Sequence, residues 1–276
     1  MYPSAIAWEG RSLFDGAPIA VVVSNIGNVY SKNPKCGKYM AQATILGTAL
    51  HPQDAILTGE DYSVCGNCKH RGRCKTNGRG DLVSTRSCYV VMKGIISIYH
   101  ALKRGAYPRL DPRAISEQIR DRAVLRGTPA ALRIGSYGDP AAVPTWVWTD
   151  LASMVKVVTG YTHQWRRCDQ ALKSLMMASA DTHDEAHEAQ AAGWRTFRIL
   201  TPDQKPAAAE TLCRNVKAGT ACQVCGLCSG TSLKAKHVAM PLHGSKRVHF
   251  YRNLKMMATT PQTQDRIHSS LDSQLR

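Results

Sequence analysis

The sequence predicts an α/β protein: a mainly parallel, barrel-like sheet covered by helices and interrupted by two cysteine-rich loops. Three observations carry this. Apolar, β-branched segments alternate with segments of helical period, the alternation recurs through most of the 276 residues, and most of the ten cysteines fall in two stretches poor in apolar residues. Candidate strands are Ile19 to Ser24, Tyr39 to Leu46, Ala131 to Gly135, Val157 to His163, Leu175 to Ala180, Thr196 to Leu200 and His237 to Leu242. Tyr89 to Arg104, Arg113 to Arg126, Pro144 to Lys156 and Thr182 to Ala192 carry apolar residues at three- and four-residue spacing and read as helices. The last has acids in its first turn, where the helix dipole favours them. Strands with helices between them suit a barrel.

Residues 1–258 read as one domain, with loops at about 61–88 and 211–232 shaped by something other than a core, and a polar tail, 259–276, expected to be mobile. A chain of this length buries a core without covalent staples, so the cysteines need another explanation. The N-terminus, MYPSAIAWEGRSLF, lacks the basic and apolar regions of an export signal, which predicts a cytoplasmic protein, in the host cytoplasm for a phage-encoded chain. In that reducing compartment grouped cysteines are metal ligands more often than disulfides. No apolar run approaches the ~20 residues of a spanning helix, which argues against a membrane.

Lysine and arginine total 36 against 20 acids, a formal charge of +16 that attracts a polyanion. Nucleic acid is the expected partner, DNA ahead of RNA. Seven arginines lie between Arg104 and Arg133, and the string GSKRVHFYRNLK interleaves Lys246, Arg247 and Arg252 with Phe250 and Tyr251, as a backbone-tracking groove does. The first cysteine loop is basic too, through Lys69, His70, Arg71, Arg73, Lys75 and Arg79. Arg71, Arg73, Lys246, Arg247 and Arg252 are the candidate phosphate contacts.

The later cluster, CRNVKAGTACQVCGLCSG, holds Cys213, Cys222, Cys225 and Cys228. Consecutive C-x-x-C steps let turns point successive thiolates at one centre, and His237 and His243 are alternatives to Cys213 as fourth ligand. The earlier cluster is Cys65, Cys68, Cys74 and Cys88, also opening on C-x-x-C. Spacing does not separate one or two Zn²⁺ ions from an iron–sulfur cluster. Cys36 and Cys168 stand alone and read as packing residues.

In parallel α/β architectures reactive groups gather at the C-terminal ends of strands. Asp139 ends ALRIGSYGDP and Asp181 ends SLMMASAD, and these are the candidate catalytic carboxylates. Each has a structural alternative, Asp181 as a helix cap and Asp139 as a turn former. Ser136, Tyr137, Tyr161, His163 and Gln164 lie near the same ends, where rings stack on bases and amides or imidazoles read their edges. Walker-type loops, G-x-G-x-x-G after a strand, H-E-x-x-H and the deaminase signature are all missing, which removes those enzyme classes.

Strand-end Asp139 and Asp181, followed some forty residues later by Cys222, Cys225 and Cys228, resemble the tRNA-guanine transglycosylase superfamily. More particularly the chain looks like the short phage members that exchange guanine in DNA for a 7-deazaguanine, and the likeness covers roughly residues 130 to 245. The chain is also similar to phage proteins typed by gene product 88. The transglycosylase resemblance implies a (β/α)₈ barrel with a structural zinc, Asp181 as nucleophile and Asp139 as base-reading or acid/base group. It implies DNA and a 7-deazaguanine base as substrates. The family's zinc motif is C-x-C-x-x-C with a distant histidine, whereas here the first step is C-x-x-C. Two other readings stay open: an iron–sulfur enzyme acting on nucleic acid, and a non-catalytic zinc-dependent DNA-binding protein.

Overall fold

The computed structural model describes residues 2–27, 35–72, 74–80, 82–243 and 247–259, with the side chains at 74, 75, 82, 253 and 256–259 left aside. The chain opens with β1 (Ser4–Arg11), β2 (Pro18–Ser24) and β3 (Ala41–Gly47), then α1 (Pro52–Thr58), α2 (Tyr62–Cys65) and a small hairpin of β4 (Cys74–Thr76) and β5 (Leu82–Ser84). Helices α3 (Met92–Lys103) and α4 (Pro112–Leu125) lead to β6 (Ala131–Tyr137), α5 (Thr145–Ala152), β7 (Val157–Thr159) and β8 (Tyr161–Thr162). Then come β9 (Met177–Ala180), α6 (His183–Ala191), β10 (Thr196–Leu200), β11 (Glu210–Leu212), α7 (Arg214–Ala218), α8 (Cys222–Cys225), β12 (His237–Pro241) and α9 (Arg247–Thr259).

Two five-stranded sheets result. In the first, ordered β1-β2-β3-β6-β7, the N-terminal three strands run antiparallel and β3, β6 and β7 run parallel. The second, β11-β12-β10-β9-β8, is parallel throughout. The architecture is therefore mixed α/β with mainly parallel sheets. Between β7 and β8 stands Gly160, where an added Cβ would lie 3.3 Å from that of Ile134 and 3.2 Å from that of Met176. A larger residue would force apart the strands that meet there.

All seven expected strands form, with the one foreseen at Val157 to His163 divided at Gly160. The four expected helices form as well, α5 ending earlier than anticipated, at Ala152. α4 starts where Asp111 accepts hydrogen bonds from the backbone of Arg113 and Ala114, with Pro112 in its first turn, and it buries Ile115, Ile119 and Ala123 along one stripe. β1, α1 and α9 were not foreseen. The two stretches expected to be irregular carry short elements: α2, β4 and β5 in the first, β11, α7 and α8 in the second. The tail foreseen as mobile lies outside the described residues from 260 onward.

The period-two alternation of strands gives the sheets two distinct faces. On β6, Leu132 and Ile134 join the main core with Ile115, Ile119, Trp148 and Trp194, under the helices. Arg133, between them, turns the other way, and its Nη1 lies 3.5 Å from Cys36 Sγ. Trp148 is fully buried and donates its indole N–H to Pro140 O at 2.9 Å, so neither its area nor its one polar atom is left exposed. Among the described residues no helix is long and apolar enough to cross a membrane.

Candidate metal and reaction centre

β8 and β9 are neighbouring parallel strands, so the residues just past their ends, His163 and Asp181, emerge at the same C-terminal edge. His70 reaches this edge from the loop between α2 and β4. His70 Nε2 lies 2.9 Å from Asp181 Oδ1, and His163 Nε2 lies 3.7 Å from the same oxygen. Among the described residues, these three are the one set of histidine, cysteine or acidic side chains whose ligand atoms all lie within 4.8 Å of one another.

Each member is held from behind. His70 Nδ1 is 2.9 Å from the Ser87 hydroxyl, which fixes the ring with Nε2 toward Asp181. His163 is hydrogen-bonded to the Cys68 side chain. Its backbone N–H donates to Asp139 Oδ2 at 2.8 Å. Asp181 precedes α6 but does not cap it. Thr182 does, accepting from Glu185 N at 3.1 Å, while Glu185 Oε2 accepts from Asp181 N at 2.8 Å. The capping alternative for Asp181 is thus occupied by its neighbour, and its carboxylate is left for the two imidazoles.

Burial works against charge on Asp181, but the adjacent His70 and the hydrogen bonds from His163 and His70 outweigh it and hold the carboxyl well below the usual range. For His163 burial likewise opposes the charge, and the Cys68 and Asp181 side chains overcome it and raise the imidazole. Two imidazoles and a carboxylate form a donor set suited to Zn²⁺ or Fe²⁺.

Asp139 is buried and satisfied locally. Besides His163 N, it accepts from the Thr162 hydroxyl at 2.7 Å and from Ala141 N at 3.0 Å, where it caps a short 3₁₀ turn. Its place is directly beneath the turn that aims His163. Ser136 Oγ pairs with Thr44 Oγ1 at 2.8 Å, and Gln164 Nε2 donates to Cys65 O at 3.4 Å. Tyr137 is buried and lines a surface cavity of about 330 Å³ with Asp61 and Tyr62, which shares no lining residue with the triad. Tyr161 faces away from the triad, and its hydroxyl hydrogen-bonds Cys228. Of the residues expected to bind a base, His163 alone belongs to the triad, Tyr137 lines the separate cavity and Tyr161 packs beside Cys228.

α9 closes the triad from above. Phe250 stacks on His70 at 4.0 Å between ring centroids and is tilted against Tyr89 at 4.8 Å. Arg247 and Arg252 are exposed on this helix. Arg71 Nη1 donates to Asp61 Oδ1 at 2.7 Å and to Gly59 O at 2.9 Å, pinning the cysteine loop. Lys69 pairs with Glu185 beside the triad. Arg73 and Lys246, two further candidate phosphate contacts, lie outside the described residues.

Cys65, Cys68 and Cys88 are mutual neighbours, close enough that each thiolate would raise the pKa of another. The Cys74 side chain lies outside the described set. Arg86 approaches Cys65 and Cys88, and its buried Nη2 has no hydrogen-bond partner among the described residues. Cys213, Cys222, Cys225 and Cys228 line a single cavity on the face of the second sheet opposite the main core. Among the described residues no cysteine is in a disulfide.

His70 escaped the sequence reading because it stood among the basic residues of CKHRGRC, where it counted as charge. Its position two residues after Cys68 was the available signal. Comparisons of the chain with protein-family models, with curated proteins and with solved structures return no match.

Proposed function

We propose that the chain is a metal-dependent enzyme acting on nucleic acid, with one divalent transition-metal ion bound by His70, His163 and Asp181 as its reaction centre. The observation that carries this is the convergence of three ligand atoms within 4.8 Å at the ends of adjacent parallel strands. A bound ion in such a site polarises a substrate oxygen or lowers the pKa of a bound water. The residues of the chain position it: Ser87 orients His70, Asp139 fixes the turn that carries His163, and Glu185 holds the backbone of Asp181. The net charge of +16 and the exposed Arg247 and Arg252 on the helix above the centre suit a polyanionic substrate.

We take Cys65, Cys68, Cys74 and Cys88 as a second metal-thiolate site, whose negative charge would satisfy the buried Arg86 guanidinium. We also read the two sheets, which meet at Gly160, as parts of one irregular barrel-like shell. Unpaired cysteines in such number fit a reducing cytoplasm.

A second reading keeps Asp181 as the nucleophile of a guanine transglycosylase acting on DNA with a 7-deazaguanine base. The low pKa of this carboxyl favours it, because attack on an anomeric carbon requires the ionised form. One experiment separates the two. DNA and RNA oligonucleotides, with a free 7-deazaguanine base supplied, are incubated with the protein as purified, after chelation, and after chelation followed by Zn²⁺ or Fe²⁺, and strand length and base composition are read. Modification that disappears on chelation and returns with one metal supports the metal centre. Base exchange that survives chelation and is lost in Asp181→Ala supports the transglycosylase.

A further inference from the structure

We infer that the cavity between α1, α2 and the first sheet binds a small organic cation, an amine or amidinium carried on an apolar or aromatic body. At about 330 Å³ it lies within the range of small-molecule sites, and it shares no lining residue with the triad, so it stands apart from the proposed reaction centre. Its walls come from the β1–β2 turn, the chain after β3, the α1–α2 connection and the end of β6. Gly59 ends α1 in the left-handed conformation (φ 86°), and the chain folds back so that Asp61 N donates to Ala55 O at 3.0 Å. That reversal delivers Asp61 to the cavity wall.

Charge selects the class of ligand. Asp15, Glu60 and Asp61 line the cavity, and no lysine, arginine or histidine is among the described residues that do, on a chain whose formal charge is +16. Asp15 is committed to structure: its Oδ1 accepts from Ala17 N at 3.0 Å and its Oδ2 from Ser63 Oγ at 2.7 Å. Asp61 retains a free oxygen. The residue is 2% exposed, Arg71 Nη1 donates to its Oδ1 at 2.7 Å, and its Oδ2 has no hydrogen-bond partner among the described residues. Burial outweighs Arg71 and pushes the carboxyl above its usual 3.8, so the ion pair leaves this carboxylate short of positive charge.

Tyr137 points to a ligand independently. It lines the cavity, is only 4% exposed, and its hydroxyl has no hydrogen-bond partner among the described residues. Buried hydroxyls are ordinarily paired, so this one is open to a ligand atom. It lies near enough to Asp61 for the carboxylate to raise the phenol's pKa, although burial is the larger cause. Pro18, Leu50, Pro52 and Val64 supply apolar wall and Tyr62 an aromatic one. A protonated amine or amidinium satisfies both groups, donating N–H bonds to Asp61 Oδ2 and to the Tyr137 oxygen while its hydrocarbon part meets the apolar wall. An anion would face three carboxylates.

The test uses benzamidine as the probe, titrated calorimetrically into the full chain, with neutral benzamide and anionic benzoate beside it and thermal melting as the check on folding. Saturable benzamidine binding at about 1 mM or tighter is expected, with benzamide weaker by about tenfold and benzoate unable to displace it. Asp61→Asn should weaken benzamidine by about tenfold or more and Tyr137→Phe by several-fold. Ala55→Phe, which fills the cavity and leaves both polar groups, should abolish binding. Absence of saturable binding overturns the inference, as does equal affinity for benzamide or equal affinity in folded Asp61→Asn. Should Asp61→Asn fail to fold, Ala55→Phe decides, because it keeps the Asp61–Arg71 pair: lost binding supports the site and unchanged affinity overturns it.

Discussion

His70 and Asp181, 111 positions apart in the chain, meet through a 2.9 Å contact between Nε2 and Oδ1. The other nitrogen of the same imidazole is held by Ser87, so the ring has no second orientation that keeps both contacts. If this pair belongs to a metal centre, Ser87→Ala leaves the ligands in place and loosens one of them. The expected result is a metal affinity lower by about 10- to 100-fold with the fold intact. Competition against a chromophoric chelator measures it, and His70→Ala should fall further still.

Asp139 acts on the same centre through His163. Its carboxylate gathers Thr162 Oγ1, Ala141 N and His163 N into one turn. Asp139→Ala leaves these buried donors without their acceptor, which costs about 1–3 kcal/mol for the group left unsatisfied. Urea unfolding should show that loss together with weakened metal binding. Full stability with abolished activity would instead place Asp139 at the substrate.

Periodicity revealed the strands that build the frame, because Ile19 to Ser24 and Ala131 to Gly135 are apolar enough to identify themselves, and Asp181 and His163 could be placed at strand ends from the same pattern. The pairing of β1 with β2 was hidden, because SAIAWEGR begins apolar and ends polar as the strand emerges from the core. α9 was hidden for a related reason: RVHFYRNLK buries Phe250 and Leu254 but otherwise reads as a basic run. His70 joins its partners only through tertiary contact across 93 and 111 positions, and its place two residues after Cys68 was the one local signal. Asp139 and Asp181 looked equivalent in the sequence. Which of the two serves a turn was settled by Thr182, which caps α6 and so releases Asp181.

Away from the site, the second sheet is braced by a buried ion pair. Arg198 donates to both oxygens of Glu210, at 2.8 Å from Nε and 2.6 Å from Nη2, and both side chains are 2% exposed. Burial by itself would raise the Glu210 pKa, but the hydrogen bonds from Arg198 and Ala207 and the Arg198 charge outweigh it and lower the group below its usual 4.5. A depressed carboxyl contributes stability that is complete above the unfolded-state pKa and is lost as pH falls through the folded one. Urea midpoints should therefore be level near neutrality and decline below about pH 4.5. Glu210→Ala, which strands the Arg198 charge, should destabilise by about 3–5 kcal/mol at pH 7 and flatten that acid limb. A variant that retains the parental decline would assign it to other carboxylates.

Phe250 decides how the triad is reached. Its ring lies 4.0 Å from that of His70, nearly parallel to it, and only 3% of the residue is exposed. Phe250 thus covers His70 from this side, and if the triad is the proposed reaction centre, a nucleotide-sized substrate reaches His70 here only when α9 lifts or tilts. Phe250→Ala removes the stacked ring and leaves Leu254 as the buried anchor of the helix. The variant should exchange metal faster and expose His70 to an imidazole-modifying reagent, by several-fold over the parent, at a cost of about 3 kcal/mol or less because the site lies on a terminal helix. Mapping the modified histidine by mass spectrometry separates this from general loosening: modification confined to His70 and His163 identifies α9 as the cover of the centre, whereas equal gains at the distant His51 and His100 would mean that the whole fold has relaxed.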